Sequence, residues 1–351
     1  MAVDLDWPHH LLSAAPPAAD VADAQRIADT LFGLAVSARP LTSERDRNFH
    51  LIDAAGRGFV LKIVNAQEDP AVTDFQTQAF LHVVRRNPAL PVARVMPARD
   101  GRYEARVELA DGSRCQARIV THLPGEPLAR VRASAALRRS IGRSLAELDR
   151  ALADFEHPGA DHPLLWDLKS ADALLPLQES IADAGLRARA EAGLQPFLDH
   201  VRPAMARLPF QVIHNDFNPH NVLADPAAPE KVTGVIDFGD MVRAPRINDV
   251  AVAAAYHVGP AEAALDGVAE LVAAYHAVFP LEPQEVELLF DLVMARQVAT
   301  VTITAWRAAR YPDNAAYILR NQPRAVAGLA VLTAIERDRA QAVLRRACAM
   351  E

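Results

Sequence analysis

His214, Asp216 and Asn221 are spaced as H-x-D-x-x-x-x-N, and later in the same stretch Asp237, Phe238 and Gly239 close a second polar cluster. Each cluster follows a short apolar run, Val212-Ile213 before the first and Val232 to Ile236 before the second. The pattern predicts strand, loop, strand, with two carboxylates and an amide brought to one place. A carboxylate such as Asp216 can orient a hydroxyl and take its proton. The oxygens of Asp237 and Asn221 suit Mg2+, a hard cation that keeps several waters and needs few protein ligands. Together these are the parts of a magnesium-dependent phosphoryl transfer. His220 can also be read with His214 and Asp216 as a metal site, but no cysteine or further histidine cluster completes a transition-metal shell.

Such clusters need a phosphate-binding cation and a scaffold. Three of the 37 lysines and arginines are lysines (Lys62, Lys169 and Lys231), so a basic residue placed for solubility alone would here be an arginine. Lys62 stands in the apolar run Phe59 to Val64, which pairs with Asn48 to Asp53 around the turn Ala54 to Gly58. There it can clamp phosphate; the other reading is an edge-strand lysine facing solvent. The preceding loop, Thr42 to Arg47, lacks glycine and so offers no legible backbone cradle; Ser43, Arg45 and Arg47 are its candidate phosphate contacts.

A helix is expected over Asp74 to Arg85, with Phe75, Ala79, Phe80, Val83 and Val84 buried. Gln76 falls near the middle of that face and needs a partner. Two are open to it, Lys62 or a backbone group. Beyond Pro88, Pro91 and Pro97, the segments Tyr103 to Leu109 and Cys115 to Leu123 alternate around Asp111-Gly112 as a second hairpin. Upstream, an irregular Pro- and Ala-rich segment leads to Asp20, which caps a helix with Val21, Ala24, Ile27, Ala28 and Leu31 on one face.

After Gly125 the chain reads as helical. Leu137, Ile141, Leu145, Leu148 and Leu152 form a core stripe, a further helix is expected over Ser170 to Arg207, and Val286 to Trp306 is an apolar helical run. Tyr256, Trp306, Arg307, Tyr311 and Asn321 are candidates to line a pocket, against the plainer reading of aromatic residues at helical spacing as core.

At 351 residues the chain suits two lobes sharing a cleft, and a 51% apolar fraction is ample for their cores. A formal charge of −7, with no basic tract, argues against nucleic acid as the main partner. Cys115 and Cys348 are the two cysteines, which excludes a disulfide framework and makes a reducing cytoplasm the expected compartment. Met1 to Pro17 carries acids, histidines and prolines and does not read as a signal peptide. No charge-free segment of membrane-spanning length is expected, and no membrane partner.

The catalytic stretch resembles the aminoglycoside phosphotransferase and choline kinase superfamily of small-molecule kinases. Within it the hydroxylysine kinase branch is the most similar, through LTSERDRNFHL (Leu41 to Leu51), FVLKI (Phe59 to Ile63), RIVTHLPG (Arg118 to Gly125) and IDFGDMV (Ile236 to Val242). The resemblance runs from about Leu41 to Asn321. It departs at His220, where many relatives have Gly, and at Asn218, where many have His.

This resemblance implies an α+β, bilobal protein-kinase-like fold. Residues 1–123 would form a small β-rich nucleotide-binding lobe with an N-terminal helix, and 124–351 a larger, mostly helical catalytic and substrate-binding lobe. Lys62 would be oriented from the next helix, with Gln76 standing where relatives carry an acid. The backbone of Val120 to Leu123, including His122, would hold a purine at the hinge. His214 would brace the catalytic loop and Asp249 would anchor it. Trp166-Asp167-Leu168 is also familiar from this branch; a buried Trp beside a capping Asp is the plainer reading, and substrate contact the other.

The implied reaction takes the γ-phosphoryl group of ATP or GTP to a hydroxyl of a small molecule, 5-hydroxylysine first, with Asp240 or Asp167 pairing its ammonium. Homoserine, choline, ethanolamine and aminoglycosides are alternative acceptors, and the last would require an acidic cleft. Protein-kinase activity is disfavoured, because neither H-R-D nor A-P-E stands at the expected places. A nucleotide-binding regulator with little catalysis is the reading from a different class.

Overall fold

The structure, a computed structural model, describes residues 15–43 and 45–350. The irregular start falls mostly outside these residues, as does Glu44 of the glycine-free loop. Helix α1 (Val21–Phe32) begins where expected. The Asp20 carboxylate accepts from the Asp23 N–H, the Asp23 carboxylate accepts in return from the Asp20 N–H, and Gly33 ends the helix at φ 70°.

A six-stranded antiparallel sheet follows. Strands β1 (Val36–Leu41), β2 (Arg47–Asp53), β3 (Gly58–Ile63) and β6 (Arg114–Thr121) lie in that order, and β4 (Val95–Met96) and β5 (Ala105–Glu108) both pair with β6. The strict alternation of β3 sends Phe59, Leu61 and Ile63 to one face, where they meet Ile27, Phe32 and Ile119 in a core shared with α1. The opposite face carries Lys62, with Arg118 of β6 directly across from it. Helix α2 (Pro70–Arg86) starts four residues before the expected Asp74, because Asp69 caps it and Pro70 occupies its first turn. Phe75, Gln76, Ala79, Phe80 and Val83 are buried.

Helix α3 (Ala135–Leu152) buries its whole leucine and isoleucine stripe. The single helix expected over Ser170 to Arg207 is instead broken up. A 3-10 stretch, Leu168–Ser180, has non-helical backbone at Ser170 and carries Pro176; α4 (Ala184–Pro196) then starts afresh from an Asp183 cap. Proline inside a helix removes a donor and crowds the preceding turn, and it accounts for the break.

Two small sheets frame the catalytic stretch: β7 (Glu126–Pro127) with β9 (Val222–Asp225) and β10 (Ala228–Val235), and β8 (Phe210–Ile213) with β11 (Val242–Pro245). Helices α5 (Ile247–Ala255), α6 (Asp266–His276), α7 (Pro283–Arg310), α8 (Gln322–Leu332) and α9 (Arg337–Ala347) complete the C-terminal region. Helix α7 is long and apolar enough to cross a membrane, though not free of charge, and 94% of its apolar window is buried inside the fold, so it is the central core helix. Its first turn is pinned to the start of α5 by a buried ion pair, in which Arg246 Nε donates to Glu285 Oε1 at 2.9 Å over the Phe279 ring.

Candidate active site

Strand β8 ends in the catalytic loop, and α5 holds that loop by its backbone. The N–H groups of His214 and Asn215 donate to the two carboxylate oxygens of Asp249, both at 2.8 Å. His214 is fully buried; its Nδ1 accepts from the Asp216 N–H at 3.3 Å and its Nε2 donates to the Ile236 carbonyl at 3.1 Å. With both ring nitrogens engaged and the ring edge-on to Phe217 and Phe238, it ties the loop to β10. Behind Asp249 sits Asp149 of α3, which bonds to it and accepts from the Tyr275 hydroxyl at 2.7 Å. Burial, then the charge of Asp249, raises Asp149 well above the usual carboxylate range.

At the loop's centre Asp216 meets Asn221. The Asn221 amide nitrogen donates to Asp216 Oδ2 at 2.7 Å and to the Asp216 carbonyl at 3.0 Å, which turns the amide oxygen outward. Burial pushes the Asp216 carboxyl up to about 7; Asp240 and Asp237 push the same way, while Arg296 and Asn218 oppose them. Asp237 is exposed and sits at φ 62°, a left-handed conformation uncommon for a residue other than glycine. An exposed carboxylate and an outward amide oxygen are an all-oxygen donor set, and they fit Mg2+. Among the described residues no group of three His, Cys, Asp or Glu side chains can hold a metal, which removes the transition-metal reading of His220. Its Nε2 instead meets Asn321 Oδ1 at 3.3 Å.

On the sheet side, Lys62 Nζ pairs with Asp46 Oδ2 at 2.7 Å and lies beside Gly239. Gln76 is not its partner. The Gln76 amide nitrogen donates to the Gly239 carbonyl at 3.0 Å and its oxygen accepts from Arg118 at 2.8 Å. The physical reason is the register: Lys62 and Arg118 are cross-strand neighbours on one face, so each cation needs its own counterpart. Of Gln76's two possible partners, the backbone group is realised, together with an arginine that sequence reasoning passed over. Arg45 reaches Asp240 at 3.3 Å, and Ser43 turns its hydroxyl to the Asp46 carbonyl, closing the loop on itself. At the hinge, Val120 is the register partner of both Val60 and Val95, the His122 N–H donates to the Gly58 carbonyl, and Leu123 lies beyond these pairings.

Asp216 and Asp240 also line a cavity beneath the catalytic loop, together with Trp166, Tyr256, Arg296 and Arg307. Trp166 thus stands at the site, with the Arg296 guanidinium 5.0 Å from its ring. Asp167 does not line the cavity: it is buried, caps the 3-10 stretch through the Lys169 N–H and pairs with Lys169 Nζ at 3.0 Å. Of the other candidates, Asn321 lines the cavity and Trp306 and Tyr311 do not. Arg296, missed in the sequence, is 3% exposed and bonds to Asp216 Oδ1 at 3.3 Å. The signal for it was available: Arg296, Thr300, Thr304 and Arg307 follow one helical stripe through an otherwise apolar run.

A β-sheet region joined to a helical region, with a braced aspartate loop and a D-F-G turn facing a lysine, defines a kinase-like phosphotransferase. The chain belongs to the Phosphotransferase enzyme family, whose model matches residues 37–267. It is 28% identical over 320 residues to a hydroxylysine kinase of Danio rerio, covering 88% of this chain and 90% of that protein. Among solved structures, a microcompartment-associated aminopropanol kinase superposes with a TM-score of 0.68 at 19% identity, over 94% of this chain and 99% of the other. An amicoumacin kinase in complex with AMP-PNP and Ca2+ gives 0.64 at 13% identity, over 92% and 97%.

Proposed function

We propose that this phosphotransferase moves the γ-phosphoryl group of ATP or GTP, with Mg2+, to the hydroxyl of a small amino-alcohol or amino acid, 5-hydroxylysine first. The observation that carries the reading is Asp216, a half-buried carboxylate at the wall of the cavity, held from one side by Asn221 and from the other by Arg296. Asp216 orients the acceptor hydroxyl and takes its proton. Asn221 and Asp237 hold Mg2+, which when bound supplies charge neutralisation for the phosphates. Lys62 clamps phosphate once nucleotide displaces Asp46, and Arg45 can exchange Asp240 for the same ligand. The purine rests near Leu123, where residues 1–123 pass into 124–351. Trp166 and Asp240 line the acceptor's side of the site. The hydroxylysine kinase of Danio rerio, matched along most of its length, supports the choice of acceptor.

The aminoglycoside alternative required an acidic cleft. The cavity lining has three arginines (Arg296, Arg307 and Arg320) against two aspartates, Asp216 and Asp240, which is unfavourable to a polycation. The regulator reading leaned on the glycine-free loop and on Gln76 in place of an acid; the bonds of Gln76 to Arg118 and Gly239 give the amide a reason of its own. Two buried free thiols accord with a reducing cytoplasm.

The test is nucleotide consumption with Mg2+ and either ATP or GTP, across hydroxylysine, homoserine, choline, ethanolamine and an aminoglycoside, with Asp216→Asn as control. Turnover with hydroxylysine that vanishes in the variant is the expected result. Turnover that survives the substitution, or nucleotide binding with no acceptor phosphorylated, overturns the reading.

A further inference from the structure

Two cations stand beside the turn that carries Asp237 to Asp240, and each is neutralised by an aspartate. Lys62 Nζ lies 2.7 Å from Asp46 Oδ2, and the other Asp46 oxygen accepts from the Asn65 N–H at 3.0 Å. Arg45, one residue back, reaches across to Asp240, 3.3 Å from Oδ1. Burial pulls the Arg45 guanidinium down, yet Asp240, Glu68, Asp46 and Asp237 together hold it above the ordinary arginine range. Arg45 thus stands within the field of Asp237, the proposed Mg2+ ligand, where the phosphates of a nucleotide would lie.

Asp240 faces two ways. Toward the sheet it meets Arg45, and toward the helical region it lines the acceptor cavity. Two carboxylates line that cavity, and both are committed to arginines: Asp216 to Arg296 and Asp240 to Arg45. In this arrangement the wall offers an ammonium group no uncommitted anion. The two pairs differ in how firmly they are held. Arg296 is buried, lies over the Trp166 ring and also bonds to the Trp166 carbonyl. The Arg45 and Asp240 side chains keep 27% and 22% of their exposure and share one contact. A partly exposed pair of that kind is weak. Phosphate, which takes a guanidinium through two parallel bonds, outcompetes it.

We propose that Arg45 couples the two substrates of the site: nucleotide phosphates draw its guanidinium from Asp240, and the released carboxylate pairs the ammonium of the acceptor. The inference rests on the kinase reading above and deepens it. Without nucleotide, an acceptor amine must compete with Arg45 for Asp240; with nucleotide it need not. The linkage is reciprocal, so an ammonium on Asp240 frees Arg45 for the phosphates and tightens nucleotide by the same factor. One side chain exchanges partners, and no backbone movement is required. Arg45 acts on the acceptor through Asp240 and is in that respect a positioning residue.

Calorimetric titration of 5-hydroxylysine into the full-length protein, alone and saturated with Mg2+ and AMP-PNP or its guanine counterpart, reads the coupling without turnover. Hydroxylysine should bind the loaded protein at least about fivefold more tightly, the lower end of the usual range for coupled sites. Arg45→Gln should bring the two affinities within about twofold, and should do so by strengthening binding to the protein alone, since the competitor for Asp240 is gone. A merely structural Arg45 would weaken both instead. Absence of coupling in the wild type, or full coupling in Arg45→Gln, overturns the proposal. A second arm needs no acceptor. Asp240→Asn frees Arg45 and should tighten AMP-PNP by about threefold, and most of that gain should vanish in an Arg45→Gln background. Equal gains in both backgrounds overturn the exchange. Should Arg45→Gln not fold, Asp240→Asn still decides: hydroxylysine coupling must disappear through weaker binding to the loaded protein while AMP-PNP binds more tightly. Failure of the parent reading looks different. Hydroxylysine neither bound nor phosphorylated in any state overturns that reading and the coupling with it, whereas hydroxylysine phosphorylated yet bound equally in both states keeps the kinase and removes the coupling.

Discussion

The two sides of the catalytic loop use the same residue type to opposite ends. On the outer side Asp216, Asp237 and Asp240 crowd three carboxylates into one site, with Asp237 in a left-handed backbone and Asp216 pushed up to about 7. On the inner side Asp249 spends both oxygens on backbone N–H groups, and Asp149 behind it is bonded to Asp249 and to Tyr275. A carboxylate whose lone pairs are consumed by backbone N–H groups is structure; one crowded by other carboxylates and held by side chains is chemistry. The outer group is costly to the fold, and the inner group holds it in place.

The contrast predicts that substitutions on the two sides separate activity from stability. The largest effect belongs to Asp216→Asn. Turnover should fall by about 10²- to 10⁴-fold, while the thermal midpoint changes little, because relief from the Asp237 and Asp240 charges offsets the loss of Arg296's partner. A variant that loses activity and stability together would place Asp216 with the inner group and break the comparison. Asp249→Ala is the mirror case. It leaves the His214 and Asn215 N–H groups without their acceptor, at about 1–3 kcal/mol each. Urea denaturation should show the loss, and turnover should drop with it, because the same two bonds set the position of Asp216. Retained stability with lost activity would show that Asp249 acts at the reaction itself.

Lys62→Met probes the sheet side and should be milder. Its ion pair with Asp46 joins two partly exposed groups, so stability should change by less than about 1 kcal/mol. A charge-assisted bond to phosphate is worth about 1.5–3 kcal/mol, so kcat/KM for nucleotide should fall by about 10- to 100-fold, read from initial rates against ATP. A stability loss larger than the catalytic one would make Lys62 structural.

The outer side was legible in the sequence because its chemistry is local. Asp216, Asn221 and Asp237 sit at fixed offsets from strand ends, and the strands read as apolar runs. The bracing roles of Asp249 and His214 came from the family resemblance and not from spacing. What escaped depended on contacts between distant elements. Gln76 was located on the buried face of α2, but its partner Arg118 comes from a strand 42 residues away and competes with Lys62 on one sheet face. Asp149 passed unnoticed beside the leucine stripe of α3, since nothing local marks its meeting with Asp249. Arg296 was hidden in plain view: an apolar helix draws the eye to its core residues, and of the polar stripe within it the sequence singled out Arg307 alone, as one pocket candidate among five. Pro176 and the Asp183 cap, by contrast, were readable helix breakers that the long helix over Ser170 to Arg207 overrode.

The smallest effect sharpens the comparison from within the inner group. Asp249 accepts two N–H bonds that favour its charge, so the proton of the buried pair resides on Asp149, whose carboxyl is raised well above the usual range by burial and by Asp249. In the unfolded chain Asp149 titrates near its ordinary 3.8. The folded state therefore holds a proton that the unfolded state releases as pH climbs past about 4, and stability falls with rising pH until the folded carboxyl itself ionises. Asp149→Asn keeps the shape, keeps an oxygen for Tyr275 and offers Asp249 an N–H that no pH removes. Thermal midpoints measured from pH 4.5 to 8 should run close together at the acid end and separate toward the alkaline end. There the variant should be the more stable by about 1 kcal/mol, a shift of roughly 2 °C. Parallel profiles would mean that Asp149 enters the fold ionised, and that the inner carboxylates are no less crowded than the outer ones.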